Sequence, residues 1–232
     1  MRSARRGGRC DPISSRPYHP GDDLRRIDRH ASARLSAVRG ETELIVREHL
    51  AEEAPRVAVL ADPAPTMRLY PSPWLSKPEA VDRAAALIEA SAYRERCRCE
   101  RRDSTAGLAA GSFTFLLSDF LTPPPEEFWL EALARRLDPV PVVIQDPVWE
   151  QSFPDAAGTV LPVAGPEGGR VRLVRLSRKE ASERRRLNEE RFERLLEGFA
   201  SLALEPVVLG SADDGEILEA FLSWADGRRR AA

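Results

Sequence analysis

The hydrophobic pattern of this chain centres on one short apolar run, Val57-Ala58-Val59-Leu60-Ala61, which stops at Asp62. A continuous run of this length is typical of a strand buried on both faces, as in a parallel sheet. The prolines at 63 and 65 then prevent both helix formation and ladder pairing. We therefore predict a central strand at 57–61, followed by a loop at the sheet edge where open α/β folds place their ligands.

Further apolar segments alternate with helical periodicity along the rest of the chain. A parallel sheet with helices on both faces is the usual outcome of that order, so the predicted class is α/β, with a three-layer, mostly parallel sheet. The short connection between 44–50 and 57–61 predicts that these two strands are antiparallel neighbours, which gives the sheet an antiparallel edge. Strands are predicted at 44–50, 113–119, 140–145 and 206–209, with a hairpin at 160–163 and 170–176.

Four helices are predicted from their start signals and apolar spacing. Ser76-Lys77-Pro78-Glu79 and Ser177-Arg178-Lys179-Glu180 have the sequence of a capping box, in which Ser and Glu satisfy the first backbone donors reciprocally. Pro123 to Glu127 opens another helix with prolines and acids, and Ser211 is predicted to cap the last one. The interval from Tyr93 to Gly111 shows no strand pattern, and its arginine cluster is typical of a solvated face.

Composition narrows the functional classes. The 232 residues suffice for one large domain or two small ones, and a net charge of −2, from 35 basic and 37 acidic residues, gives no general attraction to nucleic acid or acidic membranes. No stretch approaches the ~18 apolar residues of a membrane span. Cys10, Cys97 and Cys99 lack metal-ligand spacing, so we expect reduced thiols in a cytoplasmic protein.

A dense run of charges surrounds a turn near the N-terminus. Pro20-Gly21-Asp22-Asp23 is typical of a turn, because Pro presets φ, Gly accepts positive φ and Asp bonds nearby backbone. The alternation of acids and bases over 16–34 favours an irregular, ion-paired segment, in which exposed pairs contribute ~0–1 kcal/mol each. We expect a charged network to tie this segment to the domain; its members are Asp22, Asp23, Arg25, Asp28 and Arg34.

The same segment carries a long pattern, R-x-Y-x-P-G-D-D-x-R-x-I-D-x-x-x-x-A-R, followed about twenty-five residues later by a buried strand that ends in Asp. This combination resembles the DUF58 family of bacterial von Willebrand factor A-like proteins. One position departs from the pattern, since Arg29 stands where the family usually has Trp. The matching residues are Arg16, Tyr18, Pro20, Gly21, Asp22, Asp23, Arg25, Ile27, Asp28, Ala33 and Arg34.

The resemblance implies a von Willebrand A-like fold, shortened in this chain within the interval 93–111. It also implies a protein-binding role without enzymatic activity, as an adaptor or partner of a MoxR-type AAA+ ATPase. The organisation then expected is a disordered tail at 1–15 and a single domain at 16–232. Within that domain, 16–55 hold the signature segment and first strand, and 56–232 form the α/β core.

The resemblance further implies a metal-ion-dependent adhesion site in degenerate form. In von Willebrand A domains the first loop reads D-x-S-x-S, and its oxygens, with a Thr and an Asp from two other loops, hold a divalent cation. This chain has Asp62, Ala64 and Thr66 in the first loop and Asp119 in a later one, while the loop Thr falls in the missing interval. Mg²⁺ demands near-octahedral oxygen coordination, so we expect weak binding or none.

A phosphatase provides the alternative function. Asp62 at a strand end with Ser118 at another and Asp213-Asp214 after a third resembles the haloacid dehalogenase phosphatases, in which the first Asp attacks phosphorus. The general acid two residues later is replaced by Ala64, and nothing in the sequence places Lys179 near Asp62.

Overall fold

A computed structural model of the chain describes residues 14–18, 27, 32–33, 44–48, 56–69, 75–163 and 171–231. The chain divides into two compact units, Met1–Glu53 and Ala54–Ala232. The strands are β1 Ser14–Pro17, β2 Ile45–Glu48, β3 Val57–Ala61, β4 Cys99–Arg102, β5 Phe113–Ser118, β6 Asp138–Ile144, β7 Val160–Val163, β8 Arg172–Arg175 and β9 Val207–Leu209. The helices are α1 Lys77–Arg94, α2 Glu126–Ala134, α3 Arg178–Ser201 and α4 Asp214–Ala231, with a 3₁₀ turn at Pro65–Arg68.

The first unit contains a two-stranded antiparallel sheet of β1 and β2. The ladder continues past the strand ends, because the Tyr18 N–H donates to the Leu44 carbonyl at 2.8 Å. The Ile45 N–H donates to the buried Ser32 hydroxyl at 2.8 Å, which attaches a residue of the intervening chain to the sheet. Because β1 begins at Ser14, the tail predicted for 1–15 does not include its last two residues, and 1–13 lie outside the described residues.

The second unit is built on a five-stranded parallel sheet in the order β4-β3-β5-β6-β9. The apolar run at 57–61 forms β3, inside the sheet as predicted, and Ala58 and Val59 are 0% and 2% exposed. The predicted α/β class with a parallel, three-layer sheet is confirmed. The predicted hairpin forms separately as the antiparallel pair of β7 and β8.

Helices cover both faces of this sheet. Successive residues of a strand point to opposite faces, so Val59 packs with one helical layer and Ala58 with the other. The first layer is α1 with α4, through Ile88 and Ile217, and the second includes α2, through Ala132. Trp129 of α2 and Phe199 of α3 meet edge to face, with ring centroids 5.6 Å apart, so α3 shares the second layer.

The predicted antiparallel pairing of 44–50 with 57–61 is wrong. Both sides of β3 are occupied by parallel partners, β4 and β5, while β2 pairs with β1. A short connection favours an antiparallel pair only when the two strands share a sheet. Here the division between the two units falls between Glu53 and Ala54, close to the predicted end of the signature segment at residue 55. The single-domain organisation of 16–232 stays a prediction.

The interval 93–111 contains a strand that the sequence pattern did not predict. Cys99–Arg102 is the terminal strand β4 of the sheet, and none of its four residues is fully buried. An edge strand has one neighbour and a partly solvated face, so it needs no continuous apolar run. The arginines around it make local ion pairs; Arg101 Nε lies 2.7 Å from Glu89 Oε1 of α1.

Helix starts are confirmed, with two differences in capping. Ser177 and Glu180 form the predicted capping box at α3. At α1, Ser76 is the N-cap residue but its side chain makes no cap hydrogen bond, and the Glu79 carboxylate accepts instead from Arg83 at 2.5 Å. At α4 the Asp213 carboxylate, not Ser211, accepts from the N–H groups of residues 215 and 216, at 2.8 and 3.1 Å.

Candidate functional site

Three loops bring polar side chains to one edge of the parallel sheet. The carboxyl ends of parallel strands meet at the same edge, which is where open α/β folds bind ligands. Asp62 follows β3, Asp119 follows β5, and Asp146 with Glu150 follows β6. Because β3, β5 and β6 are consecutive in the sheet, their loops are neighbours. The sequence-predicted residues Asp62, Thr66 and Asp119 therefore all lie at this carboxyl edge.

A buried lysine lies at the centre of this edge. Lys77 is the first residue of α1, and its side chain is 0% exposed. Its Nζ lies 2.7 Å from Asp119 Oδ2 and 2.5 Å from Glu150 Oε1, and it donates to the Thr66 carbonyl oxygen at 3.3 Å. One ammonium thus contacts the loops after β3, β5 and β6. An ammonium has three protons, so these three acceptors satisfy it.

Asp62 belongs to a separate set of hydrogen bonds. Its Oδ2 accepts from the Ser118 hydroxyl at 2.5 Å, and its Oδ1 accepts from the Ala64 N–H at 2.8 Å. The buried Thr66 hydroxyl has no hydrogen-bond partner within the described part of the chain. The residues of the predicted metal site are therefore neighbours, but Asp62 is bonded to Ser118 while Asp119 is bonded to Lys77.

Backbone groups and a second cation hold the loop after β6. The Asp146 Oδ1 accepts from the N–H groups of Val148 and Trp149, at 2.8 and 2.9 Å, and Glu150 Oε2 accepts from the Asp146 N–H at 2.9 Å. Arg191 of α3 donates to the Glu150 carbonyl oxygen. These bonds fix the Glu150 carboxylate so that one oxygen faces the backbone and the other faces Lys77.

Burial changes the proton affinities of two groups here. Burial raises the pKa of Glu150 above its ordinary value, because the charged form loses its hydration, and the Lys77 ammonium offsets this only in part. Burial also lowers the pKa of Arg191, against the opposing attraction of Glu150 and Asp119. Both shifts have the same physical cause, the loss of hydration where Glu150 and Arg191 lie.

The fit of a divalent cation to this edge is poor. A hard cation prefers several oxygen ligands around one point, but the described residues contain no group of three or more His, Cys, Asp or Glu side chains arranged to hold a metal. Asp119 is already bonded to an ammonium, and position 64 offers a methyl group. The side chains present therefore match an internal ion pair better than a metal site.

Of the contacts that the phosphatase alternative needs around Asp62, the structure has the one from Ser118 but not the one from Lys179. Ser118 does lie beside Asp62. However, Lys179 is exposed at the start of α3, and Asp213 and Asp214 lie at the start of α4, where Asp213 caps the helix and Asp214 lies 3.4 Å from Arg83. The lysine at the carboxyl edge is instead Lys77, which bonds Asp119 and Glu150.

The described residues include only part of the signature segment. Arg16 lies in β1 and Tyr18 follows it, with its N–H bonded to Leu44. Ile27 and Ala33 are also among the described residues. The remaining signature residues, and with them the predicted charged network, lie outside the described residues; they are Pro20, Gly21, Asp22, Asp23, Arg25, Asp28 and Arg34.

Sequence reasoning missed the central residue of the site. The sequence pattern assigns Lys77 only to a predicted capping box and gives Glu150 no role. The available signal was composition, since Lys77 and Lys179 are the only two lysines in an arginine-rich chain. Lysine replaces arginine where a compact ammonium fits and a planar guanidinium does not.

Residues 14–101 match the family described as protein of unknown function DUF58, so the chain carries a DUF58 family domain there. This stretch includes the β1–β2 sheet and, within the second unit, β3, α1 and most of β4. Searches for similar proteins among curated sequences and solved structures gave no match. No helix in the described ranges is long and apolar enough to cross a membrane.

Proposed function

We propose that this protein is a non-enzymatic protein-binding module that acts as an adaptor or partner of a MoxR-type AAA+ ATPase. The DUF58 domain at 14–101 supports the family on which this partnership rests. The observation that carries the binding role is the bonding of the acidic side chains at the carboxyl edge. Its acidic side chains are bonded to Lys77, to Ser118 or to backbone N–H groups. They are therefore engaged in holding the loops.

The residues that remain exposed at this edge suit protein contact. Val148 is 50% exposed, and several loop prolines around it are exposed as well. Proline restricts the backbone, so such a surface loses little conformational entropy on binding. We call this the carboxyl-edge surface; it comprises Pro63, Pro65, Thr122, Pro123, Pro147 and Val148.

Binding to the purified MoxR-type ATPase of the same organism tests this proposal. Val148→Asp places a charge in the carboxyl-edge surface and should weaken binding at least tenfold in a titration. Leu173→Asp is the matched control, because Leu173 is 75% exposed on β8, outside that surface. Binding that is absent in the wild type, or equally affected by both substitutions, contradicts the proposal.

The phosphatase alternative is favoured by the Asp62–Ser118 hydrogen bond alone. If Asp62 were a nucleophile, the purified protein would hydrolyse a generic phosphomonoester, and Asp62→Asn would abolish the turnover. We expect no turnover in either protein. Hydrolysis that survives purification and disappears in the variant contradicts the non-enzymatic role.

A further inference from the structure

We propose that the Lys77 ammonium is a built-in cation that ties together the loops after β3, β5 and β6 and excludes a divalent metal ion from them. The assignment rests on the contacts of this residue and is independent of the proposed partner. The first support is connectivity. Thr66, Asp119 and Glu150 belong to three different loops, and each supplies one oxygen to the same nitrogen.

Burial supports the same assignment. The Lys77 side chain is 0% exposed and that of Asp119 is 1% exposed. Such charges are retained in a protein interior only when paired and hydrogen-bonded, since transfer from water is costly. A lysine buried at the start of a helix is unfavourable for the helix dipole, which prefers negative charge there. Helix formation does not explain the position of this ammonium, whereas its three oxygen contacts do.

The position of the ammonium explains why a metal ion would be excluded. The Lys77 Nζ lies 2.7 Å from an oxygen of Asp119 and 2.5 Å from an oxygen of Glu150. A divalent ion that used these two oxygens would have to displace the ammonium, because two cations side by side in a buried site repel each other. Asp62 is not part of this ion pair, because its two oxygens accept hydrogen bonds from the Ala64 N–H and the Ser118 hydroxyl.

Removal of the ammonium should convert the cluster into a cation site. Without Lys77, the carboxylates of Asp119 and Glu150 would be left facing a space beside the Thr66 carbonyl. The Thr66 hydroxyl, buried and without a partner in the described chain, could add a further oxygen. Oxygens of these kinds are the ligands that Mg²⁺ and Mn²⁺ take in proteins.

The test compares the wild type with Lys77→Met, which keeps a long apolar stem and removes the charge. Melting is measured in EDTA and in millimolar Mn²⁺, and Mn²⁺ binding is followed directly by electron paramagnetic resonance. We expect the wild type to bind no Mn²⁺ and to melt at one temperature in both buffers. Lys77→Met should melt lower in EDTA and gain about 5 °C or more in Mn²⁺.

Lys179→Met is the matched control, because it removes the other lysine of the chain from an exposed position and should behave as the wild type. Mn²⁺ binding by the wild type overturns the proposal. A folded Lys77→Met variant that neither binds Mn²⁺ nor melts at a higher temperature in its presence also overturns the proposal.

If Lys77→Met does not fold in either buffer, the decisive variant combines it with Asp119→Asn and Glu150→Gln. That variant removes the charges of Lys77, Asp119 and Glu150 together, so neither the ammonium nor a carboxylate of this ion pair is left uncompensated, and it should fold and show no response to Mn²⁺. Failure of the triple variant to fold would mean that Lys77 is needed for something other than charge, and would overturn the proposal.

Discussion

The Nζ of Lys77 lies 2.7 Å from Oδ2 of Asp119, with both side chains almost completely removed from solvent. Lys77 begins α1, which follows the loop leaving β3, while Asp119 immediately follows β5. Their contact therefore joins the start of a helix on one face of the sheet to the edge of the sheet. Glu150 completes the ion pair from a third loop at 2.5 Å. The geometry of the carboxyl edge depends on this charged group.

Asp119→Ala should be strongly destabilising. It leaves the Lys77 ammonium buried with one carboxylate in place of two, and breaking a buried pair costs about 3–5 kcal/mol. We expect about 3 kcal/mol, the low end, because Glu150 still faces the ammonium. The free energy of unfolding, measured by urea denaturation, checks this value.

Glu79→Ala is the control for that measurement. Glu79 pairs with Arg83 at 2.5 Å, as close as Glu150 to Lys77, but both side chains of this pair are well exposed, at 49% and 39%. Exposed pairs contribute about 0–1 kcal/mol, because water screens them. Equal losses in the two variants would mean that burial does not determine the strength of the Lys77 cluster.

The parts of the fold that could be predicted are those indicated by several neighbouring residues of one local pattern. The continuous apolar run Val57–Ala61 indicates an interior strand, because a short run of this kind is typical of a strand buried on both faces. The helix behind Ser177 was identified because two residues at fixed spacing bond the same turn. In each case the local pattern and the packing of the folded chain favour the same structure, so the prediction did not need the tertiary contacts.

The parts that could not be predicted depend on contacts between distant residues. β4 has no apolar run because it lies at an edge, where Arg101 pairs with Glu89 of α1. Lys77 and Glu150 are 73 residues apart in sequence, and no spacing rule relates them. The predicted loop residues Asp62, Thr66 and Asp119 were placed at the correct edge, because strand ends determine position. Their bonding partners are set by the tertiary fold.

Ser177→Ala and Ser76→Ala should differ in effect, although both residues begin a helix in the same sequence context. The Ser177 hydroxyl accepts from the Glu180 N–H, and its own N–H donates to the Glu180 carboxylate at 2.8 Å. Loss of such an N-cap costs about 1 kcal/mol. Ser76 makes no side-chain cap bond, so its replacement should cost less than about 0.5 kcal/mol. Thermal unfolding of the two variants distinguishes them, and equal losses would contradict the capping difference.

The thiols of Cys97 and Cys99 should react slowly with alkylating reagents at neutral pH. Burial raises the pKa of both, and nearby carboxylates, Glu95 for Cys97 and Glu89 for Cys99, raise it further. The thiolate is the reactive species. A raised pKa means that less thiolate is present at a given pH, so the alkylation rate should rise at higher pH than in a denatured chain.

The alkylation rate of each cysteine is measured by mass spectrometry after a pulse of iodoacetamide. The measurement is repeated between pH 7 and 10 in the native and the urea-unfolded protein. The unfolded protein serves as the reference because its thiols have their ordinary pKa. A native rate that exceeds the unfolded rate at pH 7 would mean that the thiols are activated and would contradict the prediction.

Arg101→Ile should promote association of the protein through the edge of its sheet. Arg101 lies in β4, the last strand on its side, and it contacts Glu89 and Asp82 of α1 at 2.7 and 3.4 Å while remaining 52% exposed. Exposed pairs of this kind add little stability. Charged residues on edge strands do, however, discourage pairing with another chain. Isoleucine favours strands and removes that charge, so we expect dimers or larger species by light scattering at concentrations where the wild type shows none.

Arg98→Ile is the control, since Arg98 is 72% exposed but precedes the strand, and it should leave the mass unchanged. Association in both variants would attribute the effect to surface hydrophobicity alone, and association in neither would show that β4 is protected by something other than Arg101.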